Sequence, residues 1–297
     1  MGIEQAIAPY IIITPAHNEE AFIKKTIQAM INQTVRPVKW IVVNDNSTDR
    51  TREIVEQYAE QHDFLSLLNL SRVTGRNFGN KVRAFNYGLN EAQLYDYQYI
   101  GNLDADISLE KDYFEKILYE FDRESNLGIA GGMVSTRIGD KFVSQDVSLD
   151  SVAGAVQLFR RECFEQIGGY LALPLGGIDA AAEIMARMKG WKTRTFPELS
   201  VLEYRRTGTA TAQPLASRVK EGQRFQSLGY SFLFLCLRSM YRLMDRPRVV
   251  GSAATIYGYL KGAIKGDSIA LPLDVVRYLR SEQRGKLVRL LSYSKKD

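Results

Sequence analysis

The sequence predicts an α/β protein, a mostly parallel sheet flanked by helices and followed by a basic helical C-terminal appendage. Three observations predict it. Short β-rich apolar runs alternate with segments of helical period from Tyr10 to Phe196. Polar clusters follow three of those runs, always at the carboxyl end. The charge also divides. The 297 residues carry 39 Lys+Arg and 34 Asp+Glu, net +5, yet residues 1–210 are net −5 and residues 211–297 net +10.

The elements follow in order. Tyr10–Thr14 (YIIIT) is a buried strand, and Ala21–Gln33 is a helix with Phe22, Ile23, Ile27, Met30 and Ile31 on one face. Trp40–Val43 is the second strand. Ser47 reads as the N-cap of a helix reaching Gln61, with Asp49 in its first turn. Phe64–Leu70, Tyr99–Leu103 and Gly128–Val134 are further strands, with helices over Lys81–Ala92 and Lys111–Arg123. Val152–Arg160 reads as a strand, Arg161–Ile167 as a short helix, Asp179–Lys189 as a helix and Lys192–Phe196 as a strand. Thr207–Ser217 has no period and reads as a linker. The domain expectation is therefore a catalytic body over residues 1–215 and a basic, amphipathic helical region over residues 216–297.

An apolar fraction of 45% with 25% charged residues excludes wholesale disorder. Two cysteines are too few for a disulfide framework, and no Cys/His cluster has zinc spacing. The segment MGIEQAIAPY lacks the basic start and apolar run of a signal peptide, and no stretch reaches the length of a spanning helix. The expected location is the cytoplasm, or the periphery of a membrane on its cytoplasmic face.

In open α/β sheets ligands bind beyond the carboxyl ends of the strands. Pro15–Glu20, Asn44–Asp49 and Asp104–Asp106 sit there together. Asp104 and Asp106, one residue apart at a strand end, can share a divalent cation that in turn binds phosphate oxygens. No Gly-x-x-x-x-Gly-Lys-Ser/Thr loop occurs, and no Gly-x-Gly-x-x-Gly follows the first strand. His17 and His62 are the only histidines and no Gly-x-Ser-x-Gly elbow accompanies them, so the available general base is a carboxylate.

Six segments then carry a resemblance. IIITPAHNEE, IVVNDNSTDRT, GNKVRAFNYGL, NLDADISLEKDYFEKIL, FRRECFEQIGGY and GGIDAAAEIMARMKGWKTRTFPEL occur in that order over residues 9–207. Together they resemble the motifs of family-2 glycosyltransferases. The resemblance implies a nucleotide-sugar-binding GT-A fold, an inverting transfer of a sugar from a nucleotide sugar, most simply UDP-linked, and a Mg²⁺ or Mn²⁺ cofactor. It implies that Pro15, His17 and Glu19 line the nucleoside pocket and that Asp45 accepts the uracil imide N–H. It places Lys81 near the diphosphate. Asp104 and Asp106 would meet the donor through ribose and metal. Asp179 corresponds to the catalytic base, with Glu183, one turn along the same face, as the alternative. Where relatives often have a metal-completing His, this chain has Glu203-Tyr204-Arg205-Arg206. Glu203 or a water is the candidate third ligand, and Arg205 and Arg206 are candidate diphosphate contacts.

Phe225–Leu237 and Val249–Leu260 are uncharged runs bordered by Arg224, Arg238, Arg242, Arg246, Arg248, Lys261 and Lys265. Such runs fit helices lying in an anionic membrane interface, or helices packed on the body with their charges solvated. No nucleic-acid-binding module accompanies the charge. The expected partners are a nucleotide sugar, a saccharide or lipid-linked acceptor in polysaccharide or glycolipid synthesis, and an anionic membrane surface. Two other functions compete: a metal-dependent phosphohydrolase of the aspartyl-phosphate type, and a non-catalytic membrane-associated binding protein.

Overall fold

The computed structural model describes residues 8–71, 79–144, 148–205, 214–243 and 248–293. These residues form two compact units. The first runs to Ala172 and resumes over Ile178–Arg206; the second comprises Leu173–Gly177 and the chain from Thr207 onward.

The first unit runs β1 (Tyr10–Ala16), α1 (Ile23–Ile31), β2 (Lys39–Asp45), α2 (Thr51–Ala59), β3 (Leu65–Leu70), α3 (Gly79–Ala92), β4 (Tyr99–Leu103), β5 (Ile107–Leu109), α4 (Tyr113–Arg123), β6 (Leu127–Ile138), β7 (Lys141–Ser144), β8 (Val156–Arg160), α5 (Arg161–Gln166), α6 (Ile178–Met188) and β9 (Lys192–Glu203). The strands form one sheet in the order β3-β2-β1-β4-β8-β6-β9-β5, with β7 paired to β6. Ile11, Ile12 and Ile13 and their neighbours Ile41, Val42 and Val43 are buried on both faces of the sheet, as parallel central strands require. Gly88 of α3 lets that helix lie directly on β1 and β2. A β-carbon there would stand 2.8 Å from Ile13 Cγ2 and 3.0 Å from Val43 Cγ2.

The expected mostly parallel sheet is correct for one half only. The β3-β2-β1-β4 block is parallel, as is β6-β9, but β4-β8, β8-β6, β6-β7 and β5-β9 are antiparallel. Strands β5 and β7, three and four residues long, are too short to show a period in the sequence. The strand expected to end at Phe196 continues past an irregularity between Phe196 and Ser200 to Glu203. It there pairs with β5, Ile107 opposite Glu203. The strand expected from Val152 begins at Val156; Val152 and Ala153 are irregular and the chain turns at Gly154–Ala155.

The second unit contains α7 (Pro214–Ser227), α8 (Phe232–Tyr241), α9 (Val250–Lys265) and α10 (Leu273–Tyr293). Helices α7 and α9 cross backbone to backbone. A β-carbon on Gly222 would overlap the Thr255 carbonyl, and one on Gly258 the Val219 carbonyl. The uncharged run 225–237 is not one helix: it breaks at Gly229, whose φ of +76° is a conformation glycine adopts without penalty. Ser231 N donates to Gln283 Oε1 and Arg280 Nε donates to the Gly229 carbonyl, which fixes the break against α10. Most of the expected linker, together with Arg206 and Arg246, lies outside the described residues.

Candidate active site

The carboxyl ends of β1 and β2 carry two loops that brace each other. Asn18 (φ +56°) and Asn46 (φ +54°) both turn in the left-handed region, which asparagine tolerates better than most residues. Asn18 Oδ1 accepts from Thr48 N at 2.8 Å, and Asn18 N donates to Ser47 Oγ at 3.1 Å. Glu19 N donates to Thr51 Oγ1, and Glu20 N to Asp49 Oδ2. The reading of Ser47 as N-cap is corrected here. Helix α2 starts at Thr51, whose N–H is taken by Asp49 Oδ1 at 3.0 Å, while Ser47 serves the neighbouring loop. Within this frame His17 Nδ1 lies 2.8 Å from the Asp45 carbonyl oxygen, and the buried Asp45 carboxylate lies 3.8 Å from Arg83. Pro15 ends β1 opposite Val43.

The end of β4 supplies the second half. Lys81, in the first turn of α3, donates from Nζ to Asp104 Oδ1 at 2.5 Å. Asn102 Nδ2 donates to Asp104 Oδ1 at 3.1 Å and to the Gly154 carbonyl at 2.7 Å. The Gly154–Ala155 turn is thereby held against the strand end. Burial opposes the charge on Lys81. The Asp104 carboxylate outweighs it, with Asp179 and Asp106 adding, and the ammonium stays above the ordinary lysine value.

Asp106 faces a crowd of carboxylates. Burial pushes its carboxyl up to about 7, and Asp104, Glu19 and Glu203 push the same way against Arg205. Glu19 is likewise raised to about 7, by burial first, although Arg205 grips it with two bonds of 2.8 and 2.6 Å. Glu203 is buried beside them and accepts from Thr136 Oγ1 at 2.7 Å. The extension of β9 is what delivers Glu203 here, and the Tyr204 N–H to Asp106 carbonyl bond of 2.9 Å locks it to the β4–β5 turn. Arg205, expected on a diphosphate, is committed to Glu19 in this structure.

Asp179 stands in the first turn of α6, half-buried. A β-carbon on Gly154 would lie 3.0 Å from its Oδ2, so the absence of a side chain at 154 lets that carboxylate approach the turn. Glu183, the alternative base, is buried. Its Oε1 accepts from Val152 N at 2.8 Å and Ser151 Oγ at 3.3 Å, and its Oε2 lies 3.6 Å from Arg187. Burial, reinforced by Asp179, pushes its carboxyl up to about 8.

The donor set fits a hard divalent cation in part. Oxygen-only ligands on a raised Asp106 beside Asp104 suit Mg²⁺ or Mn²⁺. Among the described residues no three His, Cys, Asp or Glu side chains converge closely enough to cage a metal. A cation here would rest on one or two protein carboxylates and take its other ligands from water and phosphate, as such ions commonly do.

The fold and this rim define a protein of the glycosyltransferase class. Residues 11–168 match the family model described as glycosyl transferase family 2. The chain belongs to that family. A relative is the putative teichuronic acid biosynthesis glycosyltransferase TuaG of Bacillus subtilis, 31% identical over 46% of this chain and 53% of that protein. The probable glycosyltransferase YdaM of the same organism is 44% identical over 19% of this chain and 14% of that protein. The chain thus spans about half, or less, of the length of these relatives. A mannosyltransferase from Pyrobaculum calidifontis, solved with GDP-Man and Mn²⁺, superposes with a TM-score of 0.56 and 17% identity over 96% of this chain and 81% of that one. At that identity the likeness establishes the fold, the GT-A architecture.

Proposed function

We propose that this protein is an inverting glycosyltransferase that moves a sugar from a UDP-linked donor to an acceptor hydroxyl. The acceptor is a saccharide or a lipid-linked glycan in polysaccharide or glycolipid synthesis. The observation that carries the reading is the gathering of Glu19, Lys81, Asp104, Asp106 and Asp179 at one rim of the sheet, with the braced His17–Asp45 loops beside them.

In this reading Pro15, His17 and Asp45 hold the base and ribose, and the loop bracing keeps them in place before the donor arrives. Lys81 meets the diphosphate, leaving its present partner Asp104 to the donor side. Asp104 and Asp106, with Glu203 behind Asp106, would hold Mg²⁺ or Mn²⁺, which when bound supplies Lewis-acid stabilisation of the departing diphosphate. Asp179 takes the proton from the acceptor hydroxyl as that oxygen attacks the anomeric carbon. The bond from that carbon to the phosphate oxygen breaks, the nucleoside diphosphate leaves with the electron pair, and configuration inverts. Glu183 is assigned a positioning role, since its oxygens are spent on Val152, Ser151 and Arg187. Family membership favours this function over the phosphohydrolase and the non-catalytic binding protein. The basic C-terminal unit is assigned to an anionic membrane surface on the cytoplasmic face.

A donor-hydrolysis screen with UDP- and GDP-sugars and Mn²⁺ tests the reading. Release of one nucleoside diphosphate, lost in Asp179→Asn, supports it. Phosphate release from simple phosphomonoesters without nucleotide dependence overturns it.

A further inference from the structure

Two helices of the second unit leave apolar faces uncovered. On α8, Leu233 (62% exposed), Leu237, Met240 (63%) and Tyr241 (89%) recur at i, i+4, i+7 and i+8, while Leu235 and Ser239 face inward. On α9, Val250, Ala253, Tyr257, Leu260 and Ile264 (84% exposed) recur at i, i+3, i+7, i+10 and i+14, opposite the inward stripe of Gly251, Thr255, Gly258 and Gly262. Surface helices normally turn the apolar stripe inward. On α9 glycine and threonine make the inner contact and the large side chains point out.

The charge around these faces selects the occupant. Neither α8 nor α9 contains an acidic residue. Arg238 flanks the α8 face, Lys261 and Lys265 flank the α9 stripe, and Arg248 precedes it. Lys261 Nζ lies 6.0 Å from the Tyr257 ring. A recess at the start of α8, lined by Tyr230, Ser231, Phe232, Tyr259, Arg280 and Arg284, adds two guanidinium-bearing side chains beside the half-exposed Phe232 ring. A second copy seated on these faces would set cation against cation. An anionic lipid surface supplies both an apolar layer and the opposite charge. Among the described residues no helix is long and apolar enough to cross a membrane, so these helices would lie in the interface.

We propose that the outer faces of α8 and α9 form an amphipathic docking surface for anionic phospholipid, with Leu233, Leu237, Met240, Tyr257 and Ile264 entering the acyl boundary and Arg238, Lys261 and Lys265 meeting headgroup phosphates. The proposal rests on the membrane assignment of the C-terminal unit and is independent of the catalytic reading.

Flotation of the full chain with phosphatidylcholine vesicles, with and without phosphatidylglycerol, tests it. The expected result is salt-sensitive binding to the phosphatidylglycerol vesicles. Leu237→Glu with Tyr257→Glu, both at exposed positions, should weaken it at least about tenfold with melting temperature unchanged. Arg238→Glu with Lys265→Glu should remove mainly the salt-sensitive part. Nucleotide binding should stay unchanged in both double variants, so a failed catalytic reading shows separately from a failed docking surface. Absence of vesicle binding, or binding indifferent to Leu237→Glu/Tyr257→Glu, overturns the proposal. So does a solution dimer that the same pair of substitutions dissociates while vesicle binding persists.

Discussion

Replacing Glu183 by Gln and by Ala, beside Asp179→Asn, separates a positioning carboxylate from a catalytic one. The Glu183 Oε1 atom holds the Val152 N–H at 2.8 Å and the Ser151 hydroxyl at 3.3 Å in a buried turn. Gln keeps an acceptor oxygen in that place and is neutral, as a carboxyl raised to about 8 is near pH 7. Its cost should be about 1 kcal/mol or less, that of one perturbed neutral hydrogen bond. Ala leaves the buried N–H unsatisfied, which costs about 1–3 kcal/mol, and opens a cavity worth as much again, roughly 2–6 kcal/mol together. For a unit of this size that lowers the melting temperature by on the order of 10 °C. Thermal unfolding by circular dichroism reads the stability, and initial rates of sugar transfer read the chemistry. Glu183→Gln should keep transfer within about tenfold, whereas Asp179→Asn should fold, bind donor and lose about 10²- to 10⁴-fold in rate. A well-folded Glu183→Gln that has lost transfer, beside an Asp179→Asn that keeps it, would refute the assignment.

Further consequences follow from the same geometry. Because Glu183 titrates near 4.5 when unfolded and about 8 when folded, the folded state holds the proton more tightly. The stability this contributes is fully present below pH ~4.5 and is lost as pH rises through about 8. Wild-type protein should therefore lose a few kcal/mol relative to Glu183→Gln across that window, measured by denaturant titration at several pH values. Gly132 lies where a β-carbon would overlap the Leu199 carbonyl and press on the Tyr113 ring, so Gly132→Ala should destabilise the sheet by about 2–4 kcal/mol. Gly258→Ala should disrupt the α7–α9 crossing, visible as loss of a C-terminal unfolding transition with nucleotide binding retained. Arg205→Ala removes the pair of bonds that opposes the raised Glu19, so the Glu19 carboxyl should move further up, measurable by NMR titration.

How far the sequence revealed the molecule depended on the length and burial of each segment. Ile11–Ile13 and Ile41–Val43 are buried on both faces, and such runs read as central parallel strands without help. Ile107–Leu109 is too short to show alternation, and Pro197 interrupts the run that carries β9 on to Glu203. The neighbourhood of Asp106 and Glu203 was therefore visible only through family resemblance. Helical period placed Glu183 one turn from Asp179, but period does not report depth, and depth is what distinguishes the two carboxylates. Ser47 fitted the N-cap pattern by composition. Helix α2 instead begins after Arg50, which makes no side-chain cap bond; Asp49 Oδ1 accepts the Thr51 N–H, and Ser47 Oγ accepts from Asn18 N in the neighbouring loop. In the C-terminal region the outward-facing stripe of α9 is periodic in the sequence, yet only the glycine crossing shows which side is inside.

In the proposed function the rim built by Asp104 and Asp106 receives a nucleoside diphosphate together with a divalent cation. Isothermal titration calorimetry with UDP and GDP, with and without Mn²⁺, in wild type and in Asp106→Asn tests it most directly. UDP binding should need Mn²⁺ and fall at least about tenfold in the folded Asp106→Asn variant. Nucleotide binding of equal strength without Mn²⁺ and undiminished by Asp106→Asn would contradict it.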